Sequence, residues 1–596
     1  MAIEREILKA ITEANDLRSS TPVGLPLYGR WAPRYHLCPE RSNLFRHLNF
    51  QELDVLELGA GMGGASRFVA EEARSFTALE GTQPRLDCLR ARLSDLRNWT
   101  SELGNMQDFN PGPKFDVVCV IGVLEYAELY IEAPSGEAPH SWFLKHAASM
   151  LKPGGALVLA IENQFGLKYW AGAPEDHTGH MFDGVAGYSA QKTPRTFGRG
   201  SLRDLLVRAG LPEIREFYPF PDYKTPHSML SREFVALNPK LSAEIAGGAL
   251  LRERPDEVRF MPETLALESI ARAGLLPEFA NSFLFVASSQ VESATCDVLF
   301  KRTEREGAWH YNSGRKAPIC TIFELSPVPT VRKQLFSDRW PGSRSEEEVG
   351  IQWRPEPPTT VRVEPLVASV LRRHSYFGER LPFGNLLREC LKAGLDRWAL
   401  PSGELSPEAF DATLVNAVQT ETGFDWFDLE WVLREPISKS WYVLRNVLSV
   451  WNDSVILAGS GAKTARDLYE SLCSALEVRP DLESDLQKES RTQTLIVFGI
   501  TEAQVCEAIR LRIDAKIKAD AFPRNPSDEQ VLRSGSGESV ETLRELAALR
   551  RQNEEYRVQM ARRVHRLASS AGVALHKIPG LMAFVRSVAP KKKGGE

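Results

Sequence analysis

The sequence contains few cysteines, and none of them is placed to bind a metal or to build a disulfide framework. Eight cysteines are spread singly over 596 residues, and neither a CxxC motif nor a cluster of cysteine and histidine occurs. This spacing argues against a structural zinc site and against a fold held together by disulfides. We therefore predict a protein without a metal site that folds in a reducing compartment.

Long apolar runs are absent as well. No uninterrupted apolar stretch reaches the length of a membrane-spanning helix. The first residues, "MAIEREILKAITEAND", are typical of a polar amphipathic helix and not of a signal peptide. A net charge of −5 indicates no general attraction to nucleic acid. We expect a cytoplasmic protein that does not bind nucleic acid.

Short apolar segments alternate with helical patterns in the first half of the chain. Helical stretches such as "GASRFVAEEA" and "RLDCLRARLSDL" separate the apolar segments. This alternation predicts an α/β fold, in which a parallel sheet carries helices on both faces. The predicted strands are "LDVLELG" (53–59), "SFTALEG" (75–81), "FDVVCVIG" (115–122) and "GALVLAIEN" (155–163).

A glycine-rich turn follows the first of these predicted strands. Residues 55–64 read "VLELGAGMGG", and Gly59, Gly61 and Gly63 leave room for a ligand to lie directly on the backbone. In a dinucleotide site, such a turn binds a pyrophosphate at the start of a helix. Glu57 precedes the turn, and its negative charge disfavours a pyrophosphate and favours a ligand with ammonium or sulfonium charge.

Acidic residues farther along the chain complete the predicted ligand site. Glu80 ends the next strand, 21 residues after Gly59, where a carboxylate can accept both hydroxyls of an adenosine ribose. Asp108 follows the third expected strand, where an adenine would be recognised, and Phe109 is placed to cover the adenine face. The turn and both acids occur in the right order on the right elements, which is a stronger signal than the turn alone.

This pattern resembles class I S-adenosylmethionine-dependent methyltransferases over residues 35–290. "ELGAGMG" resembles the first motif of that family, "FDVVCVIGVLEYA" the segment leading to its active site, and "LKPGGALVLAIEN" the turn and strand that follow. The resemblance implies a Rossmann-like methyltransferase sheet and S-adenosyl-L-methionine as cofactor. A nucleotide-binding oxidoreductase is the alternative. The predicted cofactor-binding residues are Glu57, Gly59, Gly61, Gly63, Glu80, Asp108, Phe109 and Gly122.

Residues 161–188, "IENQFGLKYWAGAPEDHTGHMFDGVAGY", leave the last predicted strand and are rich in polar and aromatic side chains. Ligands lie beyond the C-terminal ends of parallel strands, so this segment is predicted to cover the methyl donor. Methylation of a hydroxyl requires a group that takes its proton. His177 is the candidate base, and Asp176 or Glu175 could orient it or share its role. Candidate substrate-binding residues are Asn163, Gln164, Tyr169, Trp170 and Tyr188.

The same segment, together with "FYPFPDYK" farther on, resembles methyltransferases of bacterial surface-polysaccharide synthesis, of the O-antigen and rhamnan kind. The resemblance implies that the acceptor is a sugar hydroxyl, or a phosphate on a sugar, of a cell-surface glycan. It also implies a lipid-linked glycan substrate and a glycosyltransferase partner. Decoration and termination of the glycan chain both remain open. A scaffold that binds donor and glycan without catalysis is a further alternative.

A second group of residues has the order found in kinase active sites. "FDATLVNAV" supplies Asp411 and Asn416 with the spacing of a kinase catalytic loop, and Asp428 follows in "FDWFDLEW". Lys333 lies on a predicted strand, where a kinase places its phosphate-pairing lysine. The predicted strands of this region are "CDVLFKRTE" (296–304), "APICTIFEL" (317–325) and "TVRKQLF" (330–336).

This middle region resembles aminoglycoside-phosphotransferase-like kinases, which implies an α+β kinase-like fold. The sequence departs from the kinase pattern at two places, because Phe410 stands where the motif has histidine and "FDLE" replaces DFG. We therefore predict a degenerate domain. The alternative is an active kinase that uses ATP and magnesium, so that the protein phosphorylates and methylates a glycan end.

The C-terminal residues differ from the rest of the chain in charge. Residues 541–596 contain 12 Lys/Arg and 5 Asp/Glu in a protein that is acidic overall. A basic segment with apolar neighbours suits a membrane surface, here the inner face of the cytoplasmic membrane. A short packed helix with a solvated basic end is the alternative. The residues predicted to form the seam of a coiled coil are Leu549, Asn553, Tyr556, Met560 and Leu567. Their spacings of three, four and seven residues predict this coiled coil, and with it a homo-oligomer.

A chain of 596 residues is longer than one hydrophobic core can serve, so several domains are expected. The predicted segments are an N-terminal helical segment (1–34), the methyltransferase domain (35–292), the kinase-like domain (293–518), a linker (519–540), the coiled coil (541–570) and a basic amphipathic tail (571–596).

Overall fold

The structure is a computed structural model that describes residues 2–517 except for 113, 190–191, 252–259, 291–292, 337–350, 355–356, 362–363 and 498. These residues all fall within one unit of the chain, Met1–Pro523. The predicted linker, coiled coil and basic tail lie outside the described residues.

The strands of the described residues are short, and most of them join one mixed sheet. They are Asp54–Leu58 (β1), Ser75–Glu80 (β2), Trp99–Leu103 (β3), Phe115–Ile121 (β4), Leu151–Glu162 (β5), Glu213–Phe220 (β6), Ser228–Ser231 (β7), Ser282–Ser288 (β8), Glu306–Asn312 (β9), Ile319–Glu324 (β10), Thr330–Leu335 (β11), Ile351–Trp353 (β12), Thr359–Thr360 (β13), Ala417–Thr420 (β14), Gly423–Trp426 (β15) and Trp431–Leu433 (β16).

Helices of the first half lie mostly between these strands. The α-helices are Ala2–Thr12, Trp31–Leu37, Ser66–Glu72, Gln83–Arg92, Ala127–Tyr130, Pro139–Ser149, Leu167–Trp170, Arg199–Arg208, Arg232–Leu237, Pro239–Leu250, Glu263–Arg272, Leu276–Phe279, Ala294–Phe300, Val367–Tyr376, Arg380–Arg397, Lys439–Ser449, Ser454–Gly459, Ala465–Ala475, Leu482–Ile496 and Glu502–Ile513. Short 3-10 helices cover Leu25–Leu27, Pro39–Leu44, Leu124–Tyr126, Pro407–Asp411 and Leu414–Asn416.

The parallel part of the sheet has the strand order β3-β2-β1-β4-β5. This is the order in which a Rossmann-like sheet reverses direction at β1, and ligands of such sheets lie at the carboxyl ends of the central strands. The predicted α/β fold is confirmed for this part of the chain. The next strands, β8 and β6, pair antiparallel beyond β5.

The central strands are buried on both faces, which explains their nearly continuous apolar sequences. Side chains alternate along each strand, so Leu56 and Val118 belong to the hydrophobic core on one face of the sheet. Val55 and Val117 belong to the core on the other face. Helices cover both faces because each strand of the "LDVLELG" kind presents apolar side chains in two directions.

The sheet continues beyond residue 292, where we placed the end of the methyltransferase domain. Strand β9 pairs with β7, and β10, β11 and β13 follow it to give the twelve-stranded order β13-β11-β10-β9-β7-β6-β8-β5-β4-β1-β2-β3. The predicted strands "APICTIFEL" and "TVRKQLF" are confirmed as β10 and β11. Strands on both sides of residue 292 therefore belong to one sheet.

One predicted strand of this region is wrong. "CDVLFKRTE" begins inside the helix Ala294–Phe300, whose N-cap is Ser293. The hydroxyl of Ser293 accepts a hydrogen bond of 3.0 Å from the backbone N–H of Cys296, which satisfies a donor at the start of the helix. A short apolar run fits a strand or a buried helix equally well, and the cap decides between them.

None of the helices in the described residues combines the length and the hydropathy that a membrane span requires.

Candidate functional site

The glycine-rich turn joins β1 to the helix Ser66–Glu72. Gly59, Gly61 and Gly63 have φ values of 75°, 59° and 80°, a left-handed region that costs free energy for residues with a Cβ. A Cβ at Gly59 would lie 2.7 Å from Val123 Cγ2, so the turn packs tightly against the segment after β4. A Cβ at Gly61 would meet no atom of the described residues within 4 Å. The backbone at Gly61 therefore faces open space that a ligand can occupy.

Glu80 lies beside this turn at the end of β2, as the sequence predicts for an acid that binds ribose. Its Oε2 accepts a hydrogen bond of 2.9 Å from the backbone N–H of Gly61. Its Oε1 accepts bonds from the N–H and the hydroxyl of Thr82, at 3.0 and 2.9 Å. These bonds fix the carboxylate next to the turn. Oε1 thus accepts two hydrogen bonds already, and a lone pair remains on Oε2 for a hydroxyl of a ribose.

Glu57 is buried within β1, and only 4% of it is exposed. Burial raises the pKa of its carboxyl to about 7. Its Oε2 has no hydrogen-bond partner among the described residues. A cationic ligand at the turn would stabilise the ionised carboxylate, which agrees with the predicted preference for ammonium or sulfonium charge.

The loop after β3 carries Asp108 and Phe109. Asp108 is exposed at the carboxyl end of the sheet, and Phe109 packs inward against the hydrophobic core. His146 holds the loop, since its Nε2 lies 3.1 Å from the carbonyl oxygen of Met106 and 3.0 Å from that of Phe109. No sequence motif singles out His146, which lies on the helix Pro139–Ser149.

Gly122, the last predicted cofactor residue, directly follows β4 and has a φ of 67°. A Cβ at this position would lie 2.5 Å from the hydroxyl of Tyr223. Tyr223 comes from "FYPFPDYK" and is buried, and burial raises the pKa of its hydroxyl well above the usual value. Only glycine therefore lets the Tyr223 ring approach the end of β4.

A buried group of ionisable side chains lies at the carboxyl ends of β4 and β5. Glu125 belongs to the 3-10 helix Leu124–Tyr126 after β4, and Glu162 is the last residue of β5. His177 reaches them from the loop beyond β5. One ligating atom of each side chain lies within 4.8 Å of the other two. Among these three residues, sequence analysis had assigned a catalytic role only to His177.

The ring of His177 is held by two residues. Its Nδ1 lies 3.2 Å from the hydroxyl of Tyr126, and its Nε2 lies 3.5 Å from Glu162 Oε2. Burial lowers the pKa of His177, but the neighbouring carboxylate of Glu162, with those of Glu125 and Glu175, raises it to about 9. These carboxylates favour the protonated form of the imidazole, and the role of base stays a prediction for His177.

The two acids expected to orient His177 have other partners. Glu175 Oε2 accepts the backbone N–H groups of His177 and Thr178, at 2.8 and 2.7 Å, and so fixes the loop rather than the ring. Asp176 turns toward Lys168 and Lys224, with Oδ2–Nζ distances of 2.8 and 2.5 Å. The orienting role thus belongs to Glu162 and Tyr126, because they are the residues that contact the imidazole nitrogens.

Two lysines link the loop to "FYPFPDYK". Lys168 pairs with Asp176 and, at 2.6 Å, with Asp222, while Lys224 pairs with Glu162 and Asp176. Burial lowers the pKa of Lys224, but the carboxylates of Glu162, Asp222 and Asp176 raise it well above its usual value. These contacts hold the carboxylate of Glu162 in place and anchor the loop over the sheet.

The predicted substrate-binding residues fall into different surroundings. Asn163 is fully buried, and its Nδ2 donates to the carbonyl oxygens of Glu278 and Ala280, both at 2.7 Å. Gln164 Nε2 donates to the carbonyl of Gly184 at 2.8 Å, which closes the loop on itself. Both amides therefore serve the structure of the loop.

The three aromatic residues of that prediction also differ in exposure. Tyr169 is buried, and the hydroxyl of Tyr188 lies 2.6 Å from Thr196 Oγ1. Trp170 is 43% exposed and is the most exposed of the three.

The four predicted kinase-like residues are brought together. Lys333 Nζ pairs with the carboxylate of Asp428. Asn416 Nδ2 donates to the carbonyl oxygens of Asp411, at 2.9 Å, and Asp428, at 3.4 Å. Asp411 Oδ2 accepts the N–H of Glu430 at 3.0 Å. Protein groups thus occupy the carboxylate that a kinase would use as its base.

A known protein family matches the first strands of the sheet. Residues 56–157 match the family described as "Methyltransferase domain". No curated protein matches the chain. An S-adenosylmethionine-dependent methyltransferase structure from Mesorhizobium loti is 18% identical, with 40% of this chain and 92% of that chain covered and a TM-score of 0.25.

Two further solved structures are similar at the same level. One from Thermotoga maritima, described as a possible histamine N-methyltransferase, is 16% identical, with 45% of this chain and 96% of that chain covered and a TM-score of 0.26. One from Listeria monocytogenes, a putative S-adenosylmethionine-dependent methyltransferase by its description, is 16% identical, with 42% and 96% covered and a TM-score of 0.27.

The matched family, the Rossmann-like strand order and the glycine turn with Glu80 define a class I S-adenosylmethionine-dependent methyltransferase domain. The chain is an S-adenosylmethionine-dependent methyltransferase, and S-adenosyl-L-methionine is its methyl donor.

Proposed function

We propose that the protein is an O-methyltransferase that acts on a sugar hydroxyl, or on a phosphate of a sugar, of a bacterial cell-surface polysaccharide. The observation that carries the proposal is the buried group of Glu125, Glu162 and His177 at the carboxyl ends of β4 and β5. An acceptor hydroxyl loses its proton during the transfer, and carboxylate and imidazole groups can hold such an oxygen and accept or relay its proton.

The surroundings of this group support a polar acceptor. Lys168 and Lys224 bring positive charge to the same loop, and Trp170 offers an exposed flat ring of the kind that packs on a sugar. In the reaction the acceptor oxygen attacks the methyl carbon in line with the sulfonium, so it must be held close and correctly oriented. The glycan itself comes from the sequence resemblance of residues 161–188.

A transfer assay tests the proposal. The full-length protein is incubated with isotopically labelled S-adenosylmethionine and with O-antigen-type or rhamnan-type oligosaccharides, and methylated products are identified by mass spectrometry. We expect Glu162→Gln to lower turnover by roughly tenfold or more, since it removes a charge from the acceptor site. Glu128→Gln is the matched control, because Glu128 lies on the neighbouring helix and pairs with Arg195.

Methylation of small molecules alone would contradict the glycan acceptor. Donor binding without turnover on any acceptor would instead support a scaffold that binds donor and glycan.

We propose further that the protein is a cytoplasmic homo-oligomer that attaches to the inner face of the membrane, or to a glycosyltransferase, through its C-terminal residues. The basic composition of residues 541–596 supports this. A chain ending at residue 540 should move from the membrane fraction to the soluble fraction and should lose its oligomeric state. Unchanged fractionation would contradict the attachment.

A second candidate function is a kinase that works on the same glycan end. The convergence of Lys333, Asp411, Asn416 and Asp428 favours it. The pairing of Asp411 with backbone N–H groups favours the degenerate form of an α+β kinase-like domain instead. Calorimetric titration with ATP and magnesium distinguishes an active kinase, which binds ATP, from a degenerate domain, which does not.

For an active kinase, Lys333→Ala abolishes ATP binding. Arg332→Ala is the control, because Arg332 is the adjacent residue of β11 and pairs with Glu306. Failure of the wild-type protein to bind ATP would exclude this function.

A further inference from the structure

Three metal-ligating side chains converge beneath the loop that contains His177. One carboxylate oxygen each of Glu125 and Glu162 and a ring nitrogen of His177 lie within 4.8 Å of one another. The three residues come from separate segments, namely the 3-10 helix after β4, the end of β5 and the following loop. Glu125 is 1% exposed and Glu162 is fully buried, so bulk water does not surround these carboxylates.

Four atoms of this cluster lack the hydrogen bonds that buried polar atoms normally make. Glu125 Oε2, both carboxylate oxygens of Glu162 and His177 Nε2 have no hydrogen-bond partner among the described residues. A buried carboxylate oxygen without a donor is costly, and native proteins rarely contain one unless a ligand or ion satisfies it. The position of Glu125 Oε2 therefore points to a ligand with positive charge.

The charge of Lys224 acts on Glu125 only from a distance, since this lysine forms its ion pairs with other carboxylates. Lys224 pairs with Glu162 Oε1, on the side of the carboxylate away from His177, whose Nε2 faces Oε2. Lys224 also pairs with Asp176, and Lys168 pairs with Asp176 and Asp222. Within the described ranges, Glu125 forms no ion pair with a lysine or an arginine.

A divalent cation fits this set of donors. Two carboxylates and one imidazole give mixed oxygen and nitrogen ligation, which suits ions such as Mn²⁺ or Zn²⁺. Bonds of about 2.1 Å place neighbouring ligand atoms roughly 3.0–3.5 Å apart, so the three side chains would draw together by about 1 Å. Three protein ligands leave coordination positions open, as in catalytic metal sites.

We propose that Glu125, Glu162 and His177 form a binding site for one divalent metal cation. Sequence analysis predicted no metal site, because the three ligands are far apart in the chain and belong to no ligand motif. The site lies at the carboxyl ends of β4 and β5, next to the strand that carries the glycine turn.

The role of the cation in catalysis rests on the proposed function. A hydroxyl of the acceptor would occupy an open position, and coordination would lower its pKa so that its proton passes to water. The oxygen then forms a bond to the methyl carbon, and the bond between this carbon and sulfur breaks with its electron pair left on sulfur. The products are the methyl ether and neutral S-adenosylhomocysteine.

Metal binding is tested on the full-length protein after treatment with a chelator. Mn²⁺ is added, and the free ion is measured by electron paramagnetic resonance. We expect one bound ion per wild-type chain, and at least tenfold weaker binding for Glu125→Gln and for His177→Ala. His180→Ala is the matched control, because His180 lies in the same loop and is exposed, and it should bind Mn²⁺ like the wild type.

S-adenosylhomocysteine binding by each variant shows that it is folded. Wild-type protein that binds S-adenosylhomocysteine but none of Mn²⁺, Mg²⁺ and Zn²⁺ would overturn the proposal. Equal Mn²⁺ binding by the wild type and both ligand variants would overturn it as well. Glycan methylation that survives complete chelation would overturn the catalytic role alone. Ligand-dependent Mn²⁺ binding without methylation of any glycan would support the metal site and contradict the proposed acceptor.

Discussion

Two acidic residues of the donor site, Glu57 and Glu80, lie in different surroundings although both are buried. Glu80 accepts hydrogen bonds from Gly61 and Thr82, so its carboxylate is held in one position by protein donors. Glu57 Oε2 has no such donor among the described residues, and burial raises its pKa to about 7. The carboxylate of Glu80 is therefore positioned to accept a hydrogen bond from a neutral hydroxyl. The protonation of Glu57 instead depends on the charge of its surroundings.

This difference predicts a pH-dependent gain in stability for Glu57→Gln. The folded protein holds a proton on Glu57 up to about pH 7, whereas the unfolded chain releases it near the ordinary value of 4.5. Since the folded state binds more protons between these values, stability falls as pH rises from 4.5 to 7. Removing the carboxyl should raise the free energy of unfolding by roughly 2–3 kcal/mol at pH 8.

Chemical denaturation at pH 4.5 and pH 8 measures this effect. Near pH 4.5 the wild type and Glu57→Gln should have similar stability, because the folded wild type then carries a neutral carboxyl. A loss of stability in the variant at pH 8 would contradict the burial argument.

The position of a single residue was predictable where a local motif places it, as for Glu80 beside the glycine turn. Glu80 was found from its distance to the glycine turn, because strand, turn and strand lengths in a βαβ unit are restricted. Asp176 was assigned to the wrong partner, and Glu125 and Lys224 were missed. Their contacts join segments that are distant in sequence, and the composition of either segment does not specify which carboxylate meets which lysine.

At the scale of elements, two glycines of the turn after β1 differ in their roles. Gly59 packs against the protein, and Gly61 faces the space for a ligand. Gly59 and Gly61 both have positive φ, so an alanine at either position is strained by about 1–2 kcal/mol. Only at Gly59 would the new Cβ also meet Val123, at 2.7 Å. Gly59→Ala should therefore cost roughly 1–3 kcal/mol more than Gly61→Ala.

Thermal unfolding and S-adenosylhomocysteine binding check this pair of variants together. Gly61→Ala should weaken ligand binding, because its methyl group enters the open space above the turn, while its Tm falls only slightly. Equal Tm losses for the two variants would contradict the close packing of Gly59 on Val123.

Element types were predictable where periodicity and turns agree, as for β1, β2, β4 and β5. The helix Ala294–Phe300 shows the limit of that approach. Its apolar residues fit either structure, and the N-cap hydrogen bond of Ser293 is the local feature that favours a helix.

At the scale of the whole molecule, the sheet makes residues beyond 292 part of the methyltransferase fold. Strand β9 pairs with β7, and its Trp309 and Tyr311 are buried in the same core as Val55 and Phe76. A chain ending at residue 292 would expose the edge of β7 and remove these aromatic side chains. Each large aromatic removed from a core costs about 3–5 kcal/mol, so this shortened chain should not fold stably.

A chain ending at Pro523 provides the control, because it retains the whole of the described unit. It should keep the Tm of the full-length protein and bind S-adenosylhomocysteine. Cooperative unfolding and ligand binding by the chain of residues 1–292 would contradict this prediction. It would show that the strands after residue 292 are not needed for folding.

The central claim is that the glycine turn and Glu80 bind the adenosyl group of the methyl donor. Calorimetric titration of S-adenosylmethionine and S-adenosylhomocysteine into wild type, Glu80→Ala and Glu102→Ala tests it most directly. Loss of charge-assisted hydrogen bonds to a ribose should weaken binding to Glu80→Ala roughly tenfold or more. Glu102→Ala, an exposed acid on β3, should bind like the wild type. Absence of binding to the wild type, or equal binding to Glu80→Ala, would contradict the account.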